Sequence, residues 1–169
     1  MKFAIPLETA MQKSRYRKFA LPVLLVMAGI CIWIWRYQIP SKINFASASF
    51  VNLQSESTSF SRCAEDSTVV HFYARWCGPC LREMREIKSA IPQMTQQGIK
   101  VIFISDDPVD EMRVMANDFP EASFLHVNSM KELGVHSIPA SYFLLHDQVV
   151  YQTVGSLSWD ERTLGHFNK

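Results

Sequence analysis

Two cysteines separated by two residues, Cys77 and Cys80, are the residues of this sequence best placed to do chemistry. They follow an apolar run rich in Val and aromatic residues (69–73) and precede a helix-compatible segment. This order predicts a strand, a tight turn and a helix that starts at the first cysteine. The start of a helix has unpaired N–H groups and a partial positive charge, which stabilise a thiolate. We therefore expect Cys77 to have a lowered pKa and to act as a nucleophile near neutral pH.

The second cysteine, Cys80, lies one helical turn further on, where it faces the same way and is more buried. That spacing lets one thiol attack a substrate disulfide while the other resolves the resulting mixed disulfide. Pro79 fits the first turn of the helix, because its missing N–H would have no partner there. The pattern thus indicates thiol–disulfide exchange, with Cys77 as the attacking group and Cys80 as the resolving group.

Two motifs far apart in the chain carry a resemblance to a known superfamily. Trp-Cys-Gly-Pro-Cys at residues 76–80, after an apolar strand, resembles the thioredoxin active site. Residues 137–141, followed by an apolar strand at 142–145, resemble the cis-proline loop of the same superfamily. The segment between the motifs is longer than in plain thioredoxins, as in the membrane-anchored TlpA/ResA/DsbE-like branch. The resemblance covers roughly residues 45–167 and implies an α/β thioredoxin-like fold with a mixed central sheet flanked by helices.

The resemblance also implies roles for residues around the two thiols. The auxiliary active-site positions are Trp76, Gly78 and Pro79. Trp76, Ile138 and Pro139 are implied to shape a shallow apolar groove, and the backbone next to the cis-proline is implied to pair with an extended substrate chain. No cofactor is implied beyond the redox-active disulfide Cys77–Cys80.

The direction of electron flow follows from the resemblance as well. The Cys-Gly-Pro-Cys turn and the isoleucine before the cis-proline are similar to reducing members of the superfamily. The implied substrates are disulfides of envelope proteins, including those met in cytochrome c maturation. A transmembrane thiol reductase of the DsbD/CcdA type is the implied electron donor. A disulfide oxidase or isomerase of the same fold stays open as an alternative.

Other classes of function fit the sequence less well. A copper- or zinc-binding module is the main one, but a structural zinc site needs four ligands and no second Cys or His pair is suitably placed. The five histidines show no metal-ligand spacing, so we predict no metal. A redox-inactive scaffold is disfavoured by the intact cysteine pair. With 17 basic and 16 acidic side chains and no long charge run in the second half, nothing indicates nucleic-acid binding.

Two single residues each have two interpretations. His71 lies six residues before Cys77, where many thioredoxins carry a buried aspartate that moves a proton to or from the second cysteine. An imidazole can do the same work, or it can be a hydrogen-bonded core histidine without a redox role. Cys63 is either a small packing residue or, in an oxidising compartment, a thiol that pairs between molecules.

The N-terminal part of the chain predicts a membrane anchor. Residues 1–18 end in a basic cluster, and residues 19–35 are apolar without a charge. Trp33, Trp35 and Tyr37 cluster at the far end of this run, where aromatic rings favour a membrane interface. A cleaved signal peptide and a buried core helix are the alternatives, but the candidate cleavage site at 46–48 lies well past the apolar run. We expect a cytoplasmic segment at 1–18, an uncleaved transmembrane helix at 19–37 and a periplasmic domain, placing the protein in a bacterial inner membrane.

The rest of the chain predicts a linker at 38–48 and one thioredoxin-like domain at 49–169. Helical spacing predicts a helix over 78–97 with an apolar face, and assigns charged residues including Glu83 to its solvated side. A continuous apolar run at 99–105 predicts an interior parallel strand. Asp107 and Pro108 predict the cap and first position of a second helix. A strand at 123–127, a helical turn at 130–133, a hairpin at 142–154 and a last helix opened by Ser158 complete the prediction.

Overall fold

The computed structural model describes residues 21–32, 43, 45, 48–160, 163 and 165. The chain divides into two units, Met1–Gln38 and Ile39–Lys169. In the first unit residues 21–32 are helical and their side chains are exposed. Among the described residues no helix has both the length and the apolar character that a membrane crossing needs. The predicted cytoplasmic segment, the ends of the predicted span and most of the predicted linker lie outside the described residues.

The second unit is built on a seven-stranded sheet, counted over the part of the chain that the structure describes. The strands are β1 (Phe50–Val51), β2 (Ser57–Thr58), β3 (Ser67–Phe72), β4 (Ile99–Ser105), β5 (Ser123–His126), β6 (Ala140–Leu145) and β7 (Gln148–Val154). Their order across the sheet is β2-β1-β5-β4-β3-β6-β7. The strand β4 pairs in parallel with both β3 and β5, and the other pairs are antiparallel. The predicted mixed central sheet is therefore confirmed.

The two central strands are buried because both faces of the sheet around them are covered. In β3 only Ser67 is not fully buried, and in β4 only Lys100 is not. Strands covered on both faces read as continuous apolar runs, which is how β4 was predictable from sequence. Because parallel neighbours need a long crossover, the chain passes from β3 to β4 through a helix.

That crossover is helix α1 (Gly78–Gln96), which starts at the cysteine pair. Its buried face consists of Cys80, Glu83, Met84, Ile87, Ala90, Ile91 and Met94. Gln97 is the C-cap residue after this helix, and Gly98 follows with φ of +71°, a left-handed conformation that glycine adopts at little cost. The predicted helix and its glycine terminator are confirmed. The predicted solvated position of Glu83 is wrong, because only 2% of this residue is exposed.

A second helix, α2 (Val109–Ala116), follows β4 and starts one residue later than predicted. Pro108 is the N-cap residue and not the first helical residue, and no side chain caps the helix. The predicted cap, Asp107, instead accepts hydrogen bonds from the backbone N–H of Arg75 at 2.7 Å and from the Ser105 hydroxyl at 2.9 Å. The Asp107 carboxylate thus binds the donors of Arg75 and Ser105 instead of the N–H groups at the start of α2.

Short elements complete the unit. A 3-10 turn at Met130–Leu133 ends at Gly134, whose φ is +79°, as the sequence predicts. The hairpin β6–β7 turns at His146 and Asp147, both with positive φ. After β7 the chain returns to the sheet, where Trp159 is buried and stacks on Phe143 with ring centres 5.4 Å apart.

Candidate active site

The cysteine pair lies where the central strand β3 passes into helix α1. Cys77 has an extended conformation as the N-cap residue, and its own N–H donates to the carbonyl of Ala74 at 2.9 Å. The N–H of Cys80 donates to the Cys77 sulfur at 3.2 Å, so this sulfur takes up one of the unpaired donors at the helix start. Pro79 is in the first turn, where no hydrogen bond is lost. The two cysteines form a disulfide with their Cα atoms 5.3 Å apart.

The surface around the disulfide distinguishes the two sulfurs. Cys77 keeps 5% of its surface exposed and Cys80 none. The neighbouring Trp76 is 78% exposed, which is unusual for so large an apolar side chain. A partner therefore reaches Cys77 before Cys80, and the indole of Trp76 is free to contact that partner.

The second sequence motif lies at the start of β6, the strand that pairs with β3. The Ile138–Pro139 peptide bond is cis, as the superfamily resemblance implies. The next residue, Ala140, pairs with Phe72 at the end of β3, which brings the loop to the strand that leads into the cysteines. A groove of about 470 Å³ runs beside this loop, lined by Trp76, Asp106, Met130, Lys131, Val135, His136, Ser137 and Ile138. The structure thus brings Trp76 and Ile138 to one concave surface.

A buried polar cluster joins β3, β6, helix α1 and the segment after β7, and it consists of His71, Ser141, Glu83 and Trp159. His71 and Ser141 are directly opposite in β3 and β6, and their Nδ1 and Oγ atoms are 2.9 Å apart. The Ser141 hydroxyl donates to Glu83 Oε1 at 3.3 Å, and the Trp159 indole N–H donates to the same oxygen at 3.0 Å. His71 Nδ1 lies 3.6 Å from Glu83 Oε1. We name these four residues the buried polar cluster.

The hydrogen-bonding capacity of Ser141 determines which group donates and which accepts in the His71–Ser141–Glu83 series. A serine hydroxyl carries one proton, which Ser141 uses on Glu83. Its oxygen must then accept from His71, so the imidazole proton is assigned to Nδ1. The other ring nitrogen, Nε2, is buried and has no hydrogen-bond partner among the described residues. His71 therefore offers one free lone pair in the core.

Burial moves the pKa values of the two ionisable groups of the cluster in opposite directions. Burial lowers the pKa of His71 to about 3, so its imidazole is neutral at neutral pH. Burial raises the pKa of Glu83, and hydrogen bonds from Trp159, the Leu157 backbone and Ser141 act against that rise. Glu83 is thus the ionisable member of the cluster whose pKa is raised, and His71 is the one whose pKa is lowered.

Sequence reasoning missed three of these four residues. Glu83 is three residues after Cys80 and four before Ile87, which is the spacing of the buried stripe, so periodicity alone places it inward. The sequence analysis nevertheless assigned Glu83 to the solvated side because the residue is charged. Ser141 and Trp159 lie 58 and 76 residues from Glu83 in the sequence, and no local pattern joins them. Their role follows only from strand register and from the path of the chain after β7.

A second set of contacts holds the loop in front of the cysteines. Asp107 Oδ2 binds the backbone N–H of Arg75, and the Arg75 guanidinium forms an ion pair with Glu111 of α2 at 2.6 Å. The Asp107 carbonyl is hydrogen bonded to His126 Nδ1 at 2.9 Å. Arg75, two positions before Cys77, is therefore held by contacts to the β4–α2 loop and to α2 itself.

The remaining cysteines lie apart from the disulfide. Cys63 is half-buried and packs against the core at the end of a 3-10 turn, which agrees with the packing interpretation. Cys31 is exposed on the helical segment 21–32. Within the described parts of the chain, no group of three or more His, Cys, Asp or Glu side chains is arranged to hold a metal ion.

The fold and the site together define a thioredoxin-like protein with a Cys-Gly-Pro-Cys disulfide at the start of a helix. The model of the AhpC/TSA family matches residues 42–152, and the chain belongs to this family.

Relatives within this group are distant. The chain is 25% identical over 85 residues to the sporulation thiol-disulfide oxidoreductase A of Bacillus subtilis, covering 46% of this chain and 52% of the relative. It is 26% identical over 106 residues to the thiol-disulfide oxidoreductase ResA of Bacillus thuringiensis, covering 59% of this chain and 61% of the relative. The chain thus spans between half and two thirds of the curated relatives that it matches. The crystal structure of StoA from Bacillus subtilis superposes with a TM-score of 0.54 at 17% identity, covering 73% of this chain and 99% of that one, which shows the shared fold.

Proposed function

We propose that this protein is a thiol–disulfide oxidoreductase that reduces disulfides of other proteins. The observation that carries the proposal is the Cys77–Cys80 disulfide at a helix start, with Cys80 fully buried, Cys77 slightly exposed and its neighbour Trp76 lining a groove. A metabolite enzyme would need a deep enclosed pocket, whereas an extended chain needs an open groove such as this one. The names of the two curated relatives support the same activity.

The proposed reaction transfers two electrons to the substrate. In the reduced protein the Cys77 thiolate attacks one sulfur of a substrate disulfide, so a mixed disulfide forms and the substrate disulfide breaks. The departing substrate sulfur takes a proton. Cys80 then loses its proton and attacks the Cys77 sulfur, which forms the Cys77–Cys80 disulfide and releases the second substrate thiol. The substrate is reduced and the protein is oxidised, so an external dithiol must reduce it again.

The proton that Cys80 loses needs an acceptor inside the protein, because this sulfur is fully buried. Glu83 lies one helical turn after Cys80 on the same face of α1, and its raised pKa suits a base that works near neutral pH. We assign it the proton-accepting role. His71, with a pKa of about 3, stays neutral. Through Ser141 it either relays a proton to Glu83 or orients the Glu83 carboxylate.

We further propose that the domain works outside the cytoplasm, anchored in a bacterial inner membrane by residues 19–37. The basic cluster before the apolar run and the aromatic residues at its far end support this topology. The substrates would then be envelope proteins, including those of cytochrome c maturation. A transmembrane thiol reductase of the DsbD/CcdA type would supply the electrons.

Cysteine variants of the full-length protein test the chemistry. We expect Cys77→Ser to abolish reduction of insulin disulfides, and Cys80→Ser to accumulate a mixed disulfide that non-reducing electrophoresis detects. Alkylation of the reduced protein at mildly acidic pH should label Cys77 first. Preferential labelling of Cys80 would reverse the assignment, and binding of zinc or copper without any disulfide exchange would favour a metal-binding module.

Two further measurements test direction and location. A reduction potential near that of thioredoxin supports a reductase, whereas one near that of a strong oxidant supports the oxidase or isomerase alternative. A reporter that is active only after export, fused to the C-terminus, should be active. A silent export reporter together with an active cytoplasmic one would refute the topology.

A further inference from the structure

The indole of Trp159 makes a contact that its packing does not require. Trp159 lies after the last strand, 7% exposed, and its ring stacks on Phe143. Stacking alone would be satisfied by phenylalanine. The indole N–H nevertheless points at Glu83 Oε1, at a distance of 3.0 Å. The shortest hydrogen bond to this carboxylate oxygen therefore comes from the C-terminal segment and not from the sheet.

We propose that Trp159 is a positioning residue for Glu83, and that its N–H bond sets the pH at which the buried thiol Cys80 can react. This inference rests on the proposed function, in which Glu83 accepts the proton of Cys80. An N–H bond to a carboxylate favours its charged form, so it counteracts the effect of burial. The C-terminal segment thereby tunes a group on the active-site helix.

The surroundings of Glu83 leave few other groups that could set its proton affinity. The titratable groups near it in the described chain are His71 on β3, 3.6 Å from Oε1, and Cys80 and Glu86 on its own helix. His71 is neutral at working pH, and Glu86 is exposed to solvent. The strand β6 contributes only the Ser141 hydroxyl, at the longer distance of 3.3 Å. The backbone N–H of Leu157, two residues before Trp159, is the third donor to this carboxylate, and it stays in place when the Trp159 side chain is changed.

The variant Trp159→Phe removes the N–H group and keeps an aromatic ring on Phe143. Its matched control is Phe143→Leu, which weakens the stacking and keeps the N–H. The test uses the reduced full-length protein and the aromatic disulfide DTNB as the probe. Cys77 releases one thionitrobenzoate and keeps the other as a mixed disulfide, and the attack of Cys80 releases the second. The rate of this second release is recorded across a pH series.

In the wild type we expect the rate of second release to rise with pH through the pKa of Glu83. In Trp159→Phe the midpoint should move upward by about one pH unit, the size expected for the loss of one hydrogen bond to a charged group. Phe143→Leu should lower stability without moving the midpoint. In a Glu83→Gln background, Trp159→Phe should produce no further change in the pH profile.

Failure of the inference and failure of the proposed function give different results. If the wild type releases no second thionitrobenzoate, the proposed function fails. If it does so and the midpoint is the same in Trp159→Phe, Trp159 only packs and the inference is overturned.

A measurement on the wild type decides the case in which Trp159→Phe does not fold. The chain has four tryptophans. In the oxidised full-length protein, one indole N–H resonance should shift as Glu83 titrates, and no resonance should do so in Glu83→Gln. Indole resonances that are all insensitive to pH would overturn the inference.

Discussion

The burial of His71 predicts a specific loss of stability in mild acid. Its pKa falls from 6.5 to about 3 on folding because the imidazole is removed from water. Between pH 6.5 and about pH 3 the imidazole therefore binds a proton in the unfolded chain but not in the folded protein. The free energy of unfolding must decrease as the pH falls through this range. Each pH unit corresponds to about 1.4 kcal/mol, so His71 should lower the free energy of unfolding by about 2 kcal/mol between about pH 7.5 and about pH 5.

The variant His71→Asn isolates this contribution, because asparagine keeps hydrogen-bonding capacity and does not titrate. Urea unfolding at the two pH values gives the free-energy loss of each protein. Glu83, whose pKa is raised on folding, contributes with the opposite sign, but it is present in both proteins and cancels in the comparison. We expect His71→Asn to lose about 2 kcal/mol less than the wild type, and the exposed control His136→Asn to behave as the wild type. Equal losses in wild type and His71→Asn would refute a neutral, buried His71.

Three further predictions concern other contacts of the site. Ser141→Ala breaks the link between two buried polar groups and should lower the free energy of unfolding by about 2 kcal/mol in urea titration, whereas the exposed Ser156→Ala should change it by less than about 0.5 kcal/mol. Asp107→Ala removes the acceptor that holds the loop before the cysteines, so we expect a loss of about 1–2 kcal/mol and slower alkylation of Cys77; alkylation at the wild-type rate would show that the loop does not depend on this bond. Trp76→Ala should leave stability within about 0.5 kcal/mol and raise KM for insulin more than it lowers kcat, and an unchanged KM would exclude the indole from substrate binding.

Most of the fold could be predicted because its signals are local. The apolar run of β4, the glycines after α1 and after the 3-10 turn, and the strand-turn-helix around the cysteines each depend on neighbouring residues only. The predicted start of α2 was wrong because the Asp107 carboxylate can accept hydrogen bonds either from the helix end or from Arg75 and Ser105, and in the structure it accepts from the latter. A sequence shows that a carboxylate can cap a helix, but it does not show the Arg75 N–H that competes for it.

The buried polar cluster could not be predicted for a related reason. His71 and Ser141 become neighbours only through the register of β3 and β6, and Trp159 reaches Glu83 only because the chain returns to the sheet after β7. Glu83 was placed in solvent because an unpaired buried carboxylate is costly. The cost is reduced here by three hydrogen-bond donors, and two of them lie more than 70 residues away in the chain.

The disulfide joins residues only three positions apart, and this short separation has a consequence for the folded protein as a whole. A cross-link stabilises a fold mainly by restricting the unfolded chain, and the restriction grows with the length of the loop that is closed. Cys77 and Cys80 close almost no loop, and the helix that follows already holds them close together. Opening and closing this bond therefore leaves the conformational entropy of the unfolded chain nearly unchanged. The long-range strand pairings, rather than the disulfide, therefore maintain the fold, and the redox cycle proposed above would not require the protein to be restabilised at each turn.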